Sequence, residues 1–321
     1  MPRFPIRFGI QVGPQHIRWS ELLAVFQLVD ELGFDTGWTF DHFVPISPGG
    51  EKEPWVEDDC LEGWTTLTAL GALTRRLTVG CLVTGNTYRH PAVLANMAAT
   101  VDHITNGRLY VGIGAAWYEL EHRMYGIPFY DVRERLQRLN EAVQVLRLLW
   151  TEHRANFQGR YYQLTDALCY PKPVQARLPI LIGGAGEKVT ARIVARHADA
   201  WQTWGEPAVW QRKIAALHGH CRDVGRDPAE IELVMGAPLV LAETDAAAEQ
   251  RLAQLAAQRG FPLERARMLF LAGGPDQVAR RLQEYLELGI THFLFNAVER
   301  EHAMLELFAR EVMPRFRARA A

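Results

Sequence analysis

Short apolar runs alternate along this chain with longer segments whose apolar residues recur every three or four positions, a pattern that predicts strands each followed by a helix. The clearest unit lies between Thr78 and Gly126. Residues 78–83 are short, apolar and β-branched, as a strand buried on both faces should be, and they stop in the turn-forming run Thr84-Gly85-Asn86. Pro91 suits the first turn of the next helix, where its missing N–H costs nothing, and Val93, Leu94, Met97, Val101 and Ile104 give that helix one apolar face. Asn106-Gly107 reads as its stop, and 109–113 as a second buried strand running into Gly114, Ala115 and Ala116. Parallel strands joined by a right-handed crossover deliver both of these ends to one face, where α/β proteins keep their sites.

The same reading places strands over 6–12, 36–40, 179–182, 199–203, 230–241 and 291–296. Between them fall helices over 21–32 (with Ser20 as cap), 61–73, 132–150, 187–197, 209–224, 245–258 (with Thr244 as cap), 275–288 and 301–312. Residues 268–272 fit neither pattern. Eight strands alternating with helices, and no linker at the midpoint, predict an α/β chain folded as a (β/α)₈ TIM barrel with insertion loops, a single domain over 1–321. Two insertions stand out. Residues 44–59 are rich in Pro, Gly and acidic side chains and read as a surface loop able to act as a lid, while 153–178 holds a small hairpin over 157–164 outside the main sheet. Residues 119–130 read as a further loop on the active face.

Composition narrows the function classes. The 321 residues are 48% hydrophobic and 22% charged, enough to bury a large core, and the formal charge of -2 gives no reason to expect nucleic acid or an acidic membrane surface as partner. Cys60, Cys81, Cys169 and Cys221 form no close pair, which favours a reducing, cytoplasmic setting. No apolar run is long enough to span a membrane, and nothing resembles a signal peptide.

Several residues at strand ends could carry chemistry. Gly183, Gly184, Ala185 and Gly186 follow a buried strand; glycines there allow close backbone approach, and N–H groups at the start of the helix from Glu187 could bind phosphate, although a plain turn explains them about as well. Asp41-His42 ends the second strand: Asp can orient an imidazole, and the imidazole can exchange a proton near neutral pH. A turn or packing pair is the plainer alternative. Arg89-His90 offers anion contacts or merely caps a helix. Glu119, Glu121 and His122 could form an acid–base group; no HExxH or comparable spacing supports a metal. Trp38, Trp64, Trp117, Trp201 and Trp204 lie near strand ends and could line a cleft for a flat heterocycle or an apolar substrate, or simply fill the core.

Asp41-His42-Phe43, the block Thr84 to Trp117 (TGNTYRHPAVLANMAATVDHITNGRLYVGIGAAW), DALCYPKPVQ (Asp166 to Gln175) and ILIGGAGEKVT (Ile180 to Thr190) together resemble the bacterial luciferase-like superfamily, and within it the predicted coenzyme F420-dependent oxidoreductases. The resemblance runs over nearly the whole chain. It implies a barrel with the deazaflavin, or alternatively FMN, in its mouth and the cofactor phosphate near Gly183 to Glu187. It implies a non-prolyl cis bond near Cys81-Leu82 behind the ring, with Thr84, Gly85, Asn86, Gly114 and Ala115 also at the cofactor. His42 would be the proton donor or acceptor, oriented by Asp41, in hydride transfer with a small organic substrate. Sugar-phosphate dehydrogenases of the superfamily carry an acid on the loop after the fourth strand; the matching place here is Trp117, with Glu119 two residues on as the candidate acid. A homodimer is also implied. The rival readings are an FMN-dependent monooxygenase using O₂ and a non-catalytic flavin-binding barrel.

Overall fold

A computed structural model describes residues 3–46, 57–296 and 301–317. Its centre is a closed ring of eight parallel strands: β1 (Arg7–Gln11), β2 (Thr36–Thr39), β3 (Thr78–Cys81), β4 (Leu109–Gly114), β5 (Ile180–Gly183), β6 (Ala200–Thr203), β7 (Glu232–Leu241) and β8 (His292–Asn296). Each pairs with its successor, and β8 returns to β1 with His292 beside Arg7, closing the barrel. The (β/α)₈ architecture expected from the alternating pattern is the one formed. Strands buried on both faces must be almost wholly apolar or small, and all residues of β2 and β4 are buried.

Helices α1 (Trp19–Leu32), α2 (Gly63–Leu73), α3 (Pro91–Ile104) and α5 (Val132–Thr151) cover the first half of the ring. Helices α6 (Thr190–His197), α7 (Pro207–Val224), α8 (Asp245–Gln258) and α10 (Pro275–Glu287) belong to the second half. Where the local chemistry was strong the ends agree with expectation: Pro91 opens α3, and Thr244 accepts the Ala247 N–H ahead of α8. Ser20, by contrast, lies inside α1, which starts at Trp19, two residues before a serine cap would place its first residue. The helix expected from Glu187 begins at Thr190, because Gly184 at φ 142° and the turn after it keep the chain extended over the barrel mouth.

Residues expected as loop after β4 include a short helix, α4 (Glu119–Tyr125), stopped by Gly126 at φ 67°. Residues 268–272 resolve into the end of α9 (Leu263–Leu269) and a strand, Leu271–Gly273, that pairs with the outer half of the long β7. The hairpin forms from Ala155–Gln158 and Gln163–Ala167. Of the expected lid over 44–59, residues 47–56 lie outside those described. No helix among the described residues is long and apolar enough to cross a membrane, and the four cysteines are free thiols.

Candidate active site

The C-terminal ends of the strands open into a cavity of about 1330 Å³. Gln11, Gly114, Gly183, Gln202, Met235 and Asn296 bring six of the eight strands to its wall, and Leu82 reaches it just past the end of β3. Of the residues singled out in the sequence, His42, Leu82, Gly85, Gly114, Ala115, Gly183, Gly184 and Gly186 line it.

Part of the wall is built from what is missing. A Cβ on Gly114 or on Gly183 would stand 2.8 Å from a Val83 methyl carbon, so the Val83 side chain occupies space that two glycines leave open. Leu82–Val83 is a non-prolyl cis peptide, one bond further along than expected. The offset has a simple cause: the Leu82 N–H still donates to the Thr39 carbonyl at 2.8 Å, so the chain leaves the sheet only after Leu82. The result is a smooth apolar surface of glycine and valine, suited to the face of a flat ring.

Thr84, Asn86 and Cys81 support this wall from behind. Cys81 is fully buried, and the Thr84 hydroxyl accepts the Trp64 indole N–H at 2.7 Å. The Asn86 amide, oriented to satisfy both its ends, donates to the Gly114 carbonyl at 3.1 Å and accepts from the Leu139 N–H at 2.9 Å. Ala185 and Glu187 do not reach the cavity wall; the Glu187 carboxylate turns to Arg212 at 2.8 Å. Among the tryptophans, Trp117 and Trp204 line the cavity, whereas Trp38, Trp64 and Trp201 are core residues.

The polar centre differs from the arrangement the sequence implied. His42 is 7% exposed, hemmed by the rings of Phe40, Trp117 and Tyr118, and its Nδ1 lies 2.7 Å from Glu121 Oε1. The other oxygen of Glu121 accepts the Phe43 backbone N–H at 2.8 Å, and the Tyr88 hydroxyl donates to Oε1 as well. Asp41 does not orient the imidazole. It faces away and takes a two-point ion pair from Arg89 at 2.5 and 3.0 Å, and Arg89 also reaches Glu62. Burial raises the Asp41 carboxyl despite Arg89, and Arg89, though burial opposes it, is held above its usual value by Asp41 and Glu62.

Glu119, the carboxylate expected to act, is the exposed first residue of α4. Two positions on, Glu121 is fully buried on the inner side of the same short helix. Its neighbour His122 is spent on structure: Nδ1 meets the Tyr118 carbonyl at 2.7 Å and Nε2 meets the Thr87 hydroxyl at 2.7 Å. Burial lowers its pKa, so it sits neutral there. His90 caps α3 by accepting the Ala92 N–H. No group of three His, Cys, Asp or Glu side chains suited to a metal occurs among the described residues.

A second sector of the cavity is cationic. Arg259, Arg265 and Arg281 line it beside Phe261 and Phe270, with the Arg259 guanidinium 5.6 Å from the Phe270 ring and Arg265 5.8 Å from the Phe261 ring. Arg281 is steadied by donating to the Phe270 carbonyl at 2.9 Å. No Asp or Glu is among the described lining residues.

Comparison with known proteins agrees with this geometry. Residues 4–267 match the family model described as luciferase-like monooxygenase. An F420-dependent glucose-6-phosphate dehydrogenase of Microbacterium testaceum is 30% identical, the match covering 99% of both chains. Among solved structures, an F420-dependent secondary alcohol dehydrogenase in complex with an F420–acetone adduct superposes with a TM-score of 0.80 at 20% identity, over 96% of this chain and 98% of that one. A monooxygenase from Streptomyces bottropensis superposes with a TM-score of 0.76 at 23% identity, over 97% of this chain and all of that one. At such identities the structural likenesses speak for the fold alone.

Proposed function

The chain belongs to the luciferase-like monooxygenase family, and we propose that it is an F420-dependent oxidoreductase that moves hydride between the deazaflavin and a small alcohol or carbonyl substrate bearing a negative charge. The observation that carries this reading is the wall of the cavity: an apolar glycine–valine surface, one imidazole with a nitrogen left to the cavity, and no carboxylate among the described lining residues. The deazaflavin, when bound, supplies the carbon that accepts or gives hydride. Gly114, Gly183 and Val83 offer a seat for its ring, and the extended segment from Gly184 to Gly186 brings backbone close to its side chain. His42 Nε2 makes no hydrogen bond among the described residues, which supports it as the atom that takes the hydroxyl proton of an alcohol while the neighbouring carbon loses hydride. In the opposite direction the imidazolium returns that proton to the carbonyl oxygen.

Oxidation of an alcohol needs only this one proton acceptor, which is why the absence of an acid at Trp117 does not disable the site. The cationic sector of Arg259, Arg265 and Arg281 supports an anionic group on the substrate. The relative named as a glucose-6-phosphate dehydrogenase takes a substrate with that charge, whereas this chain has Trp117, half exposed at the cavity wall, and no carboxylate among the described lining residues. A cytoplasmic homodimer completes the proposal, testable by light scattering. The decisive experiment titrates the purified protein with F420 and with FMN, read by fluorescence quenching, and follows F420 reduction with a panel of neutral and phosphorylated alcohols. Micromolar F420 binding and reduction by an anionic alcohol are expected; binding of FMN alone, or O₂-dependent turnover with reduced FMN, would overturn the reading.

A further inference from the structure

We propose that Glu121 is the positioning residue of this site: it holds His42 through Nδ1–H so that Nε2 is the atom that exchanges the substrate proton, and it is itself fixed by Tyr88 and the Phe43 backbone. The inference rests on the reading of His42 as the proton-transfer group. Its basis is geometric. One fully buried carboxylate gathers donors from three places: the ring nitrogen at 2.7 Å, the Phe43 N–H at 2.8 Å and the Tyr88 hydroxyl. Each donor fills a lone pair on an acceptor that would be costly to bury bare. An imidazole that donates from Nδ1 to an anion must present Nε2 as its basic nitrogen.

The elements that bring these groups together are far apart in sequence. His42 and Phe43 follow β2, Tyr88 precedes α3, and Glu121 lies on α4. The remaining titratable groups around His42 do not compete for its ring. Asp41 is engaged by Arg89, which also binds Glu62. The Cys60 thiol donates to the His42 carbonyl at 3.4 Å, and burial, with help from Glu121, pushes its pKa up to about 12, so it stays uncharged. Burial, with Glu121 next, likewise raises the Tyr88 phenol and keeps it a donor, and His122 is neutral.

Tyr88 and His42 share one oxygen of Glu121, which makes the arrangement testable by two variants with different outcomes. Glu121→Gln keeps the shape but removes the charge that fixes the ring, so His42 should lose its single Nδ1–H tautomer. Tyr88→Phe removes the competing donor from Oε1 and should leave the Nδ1–H tautomer as in the parent. Both outcomes are read by ¹⁵N NMR of labelled histidine in the cofactor-free protein, with kcat/KM measured alongside. For Glu121→Gln a fall in kcat of about tenfold to a hundredfold is expected, with the cofactor Kd within twofold of the parent. A neutral His42 carrying its proton on Nε2 in the parent protein overturns the proposal. So does a Glu121→Gln variant that keeps the parent's single Nδ1–H tautomer, or a Tyr88→Phe variant whose ring is no longer held in it. If Glu121→Gln fails to fold, Tyr88→Phe and the tautomer of the parent still decide. His42→Ala separates the two levels: if it leaves kcat intact, the acid–base reading fails whatever Glu121 does, and if it abolishes turnover while Glu121→Gln leaves the His42 tautomer and kcat unchanged, only the positioning role falls.

Discussion

Val83 and Gly183 meet so closely that the glycine cannot acquire a side chain without moving the valine: a Cβ at 183 would lie 2.8 Å from Val83 Cγ1 and 3.2 Å from Cγ2. Val83 lines the cavity and is held from the other side by Gly114, where a Cβ would meet Cγ2 at 2.8 Å. A shift of the valine would change the wall on which the ring is proposed to rest. Gly183→Ala is therefore expected to weaken F420 binding by about tenfold or more, since a displacement of even one methyl in a packed wall costs about 1–3 kcal/mol. Equilibrium titration of the variant checks this, and unchanged affinity would mean that the ring does not rest on Val83.

Asp41 and His42 are adjacent in sequence but have separate tasks, so substituting them should separate stability from catalysis. Asp41→Asn leaves the buried end of Arg89 with only Glu62, and loss of one partner from a buried pair typically costs about 3–5 kcal/mol. A clear drop in thermal midpoint is expected, while the ¹⁵N signature of His42 stays that of the parent because its carboxylate partner is Glu121. A changed His42 tautomer in Asp41→Asn would contradict the observed pairing.

The contrast between these residues also explains what the sequence could and could not reveal. The barrel was legible because strands buried on both sides have few options beyond short apolar runs, and Pro91 and Thr244 mark helix starts by chemistry that acts locally. His42 was legible for a similar reason, as an ionisable side chain at the end of a buried strand. Its partner was not. Glu121 is 79 positions away, and pairing over that distance follows from how β2 and β4 sit in the ring, not from any local pattern. Successive side chains at a strand end point to opposite sides, so Asp41 was the less natural partner for His42 despite its proximity. One cue was available: Gly126 as a left-handed stop makes 119–125 helical, and a helix starting at Glu119 puts Tyr118, Glu121, His122 and Tyr125 on one side.

The cationic sector should discriminate among substrates by charge. Arg259 and Arg265 make contacts with the Phe270 and Phe261 rings at the edge of the cavity and do not touch the polar centre around His42. Replacing either by Ala is expected to raise KM for an anionic alcohol by about tenfold, the worth of one charge-assisted contact, and to leave kcat nearly unchanged. For a neutral alcohol KM should not move. Added salt should mimic the substitutions for the anionic substrate only. Equal effects on charged and neutral alcohols would show that these arginines act through packing.

The floor of the barrel sets an acid limit on stability. Glu232, at the start of β7, is fully buried, with Arg7 Nη2 2.5 Å from its Oε2, Arg7 Nε 3.0 Å from its Oε1, and the Tyr110 hydroxyl donating at 3.2 Å. Burial alone would raise its carboxyl, but His292 when protonated, and Arg7, outweigh that and bring it from 4.5 to about 2, while burial holds the His292 imidazole itself below its usual value, so Arg7 is the lasting counter-charge. The folded state thus binds this proton more weakly than the unfolded chain does. Its contribution is complete above about pH 4.5 and is lost as pH falls towards 2, and a shift of this size corresponds to about 3 kcal/mol. Urea unfolding from pH 7 down to 2.5 should show the midpoint falling through that window. Glu232→Gln should start lower at pH 7, because Arg7 loses its counter-charge, and should fall less steeply below pH 4.5. A variant with the parent's slope between pH 4.5 and 2.5 would mean that other carboxylates set the acid limit and that Arg7 holds Glu232 more loosely than their 2.5 Å contact implies.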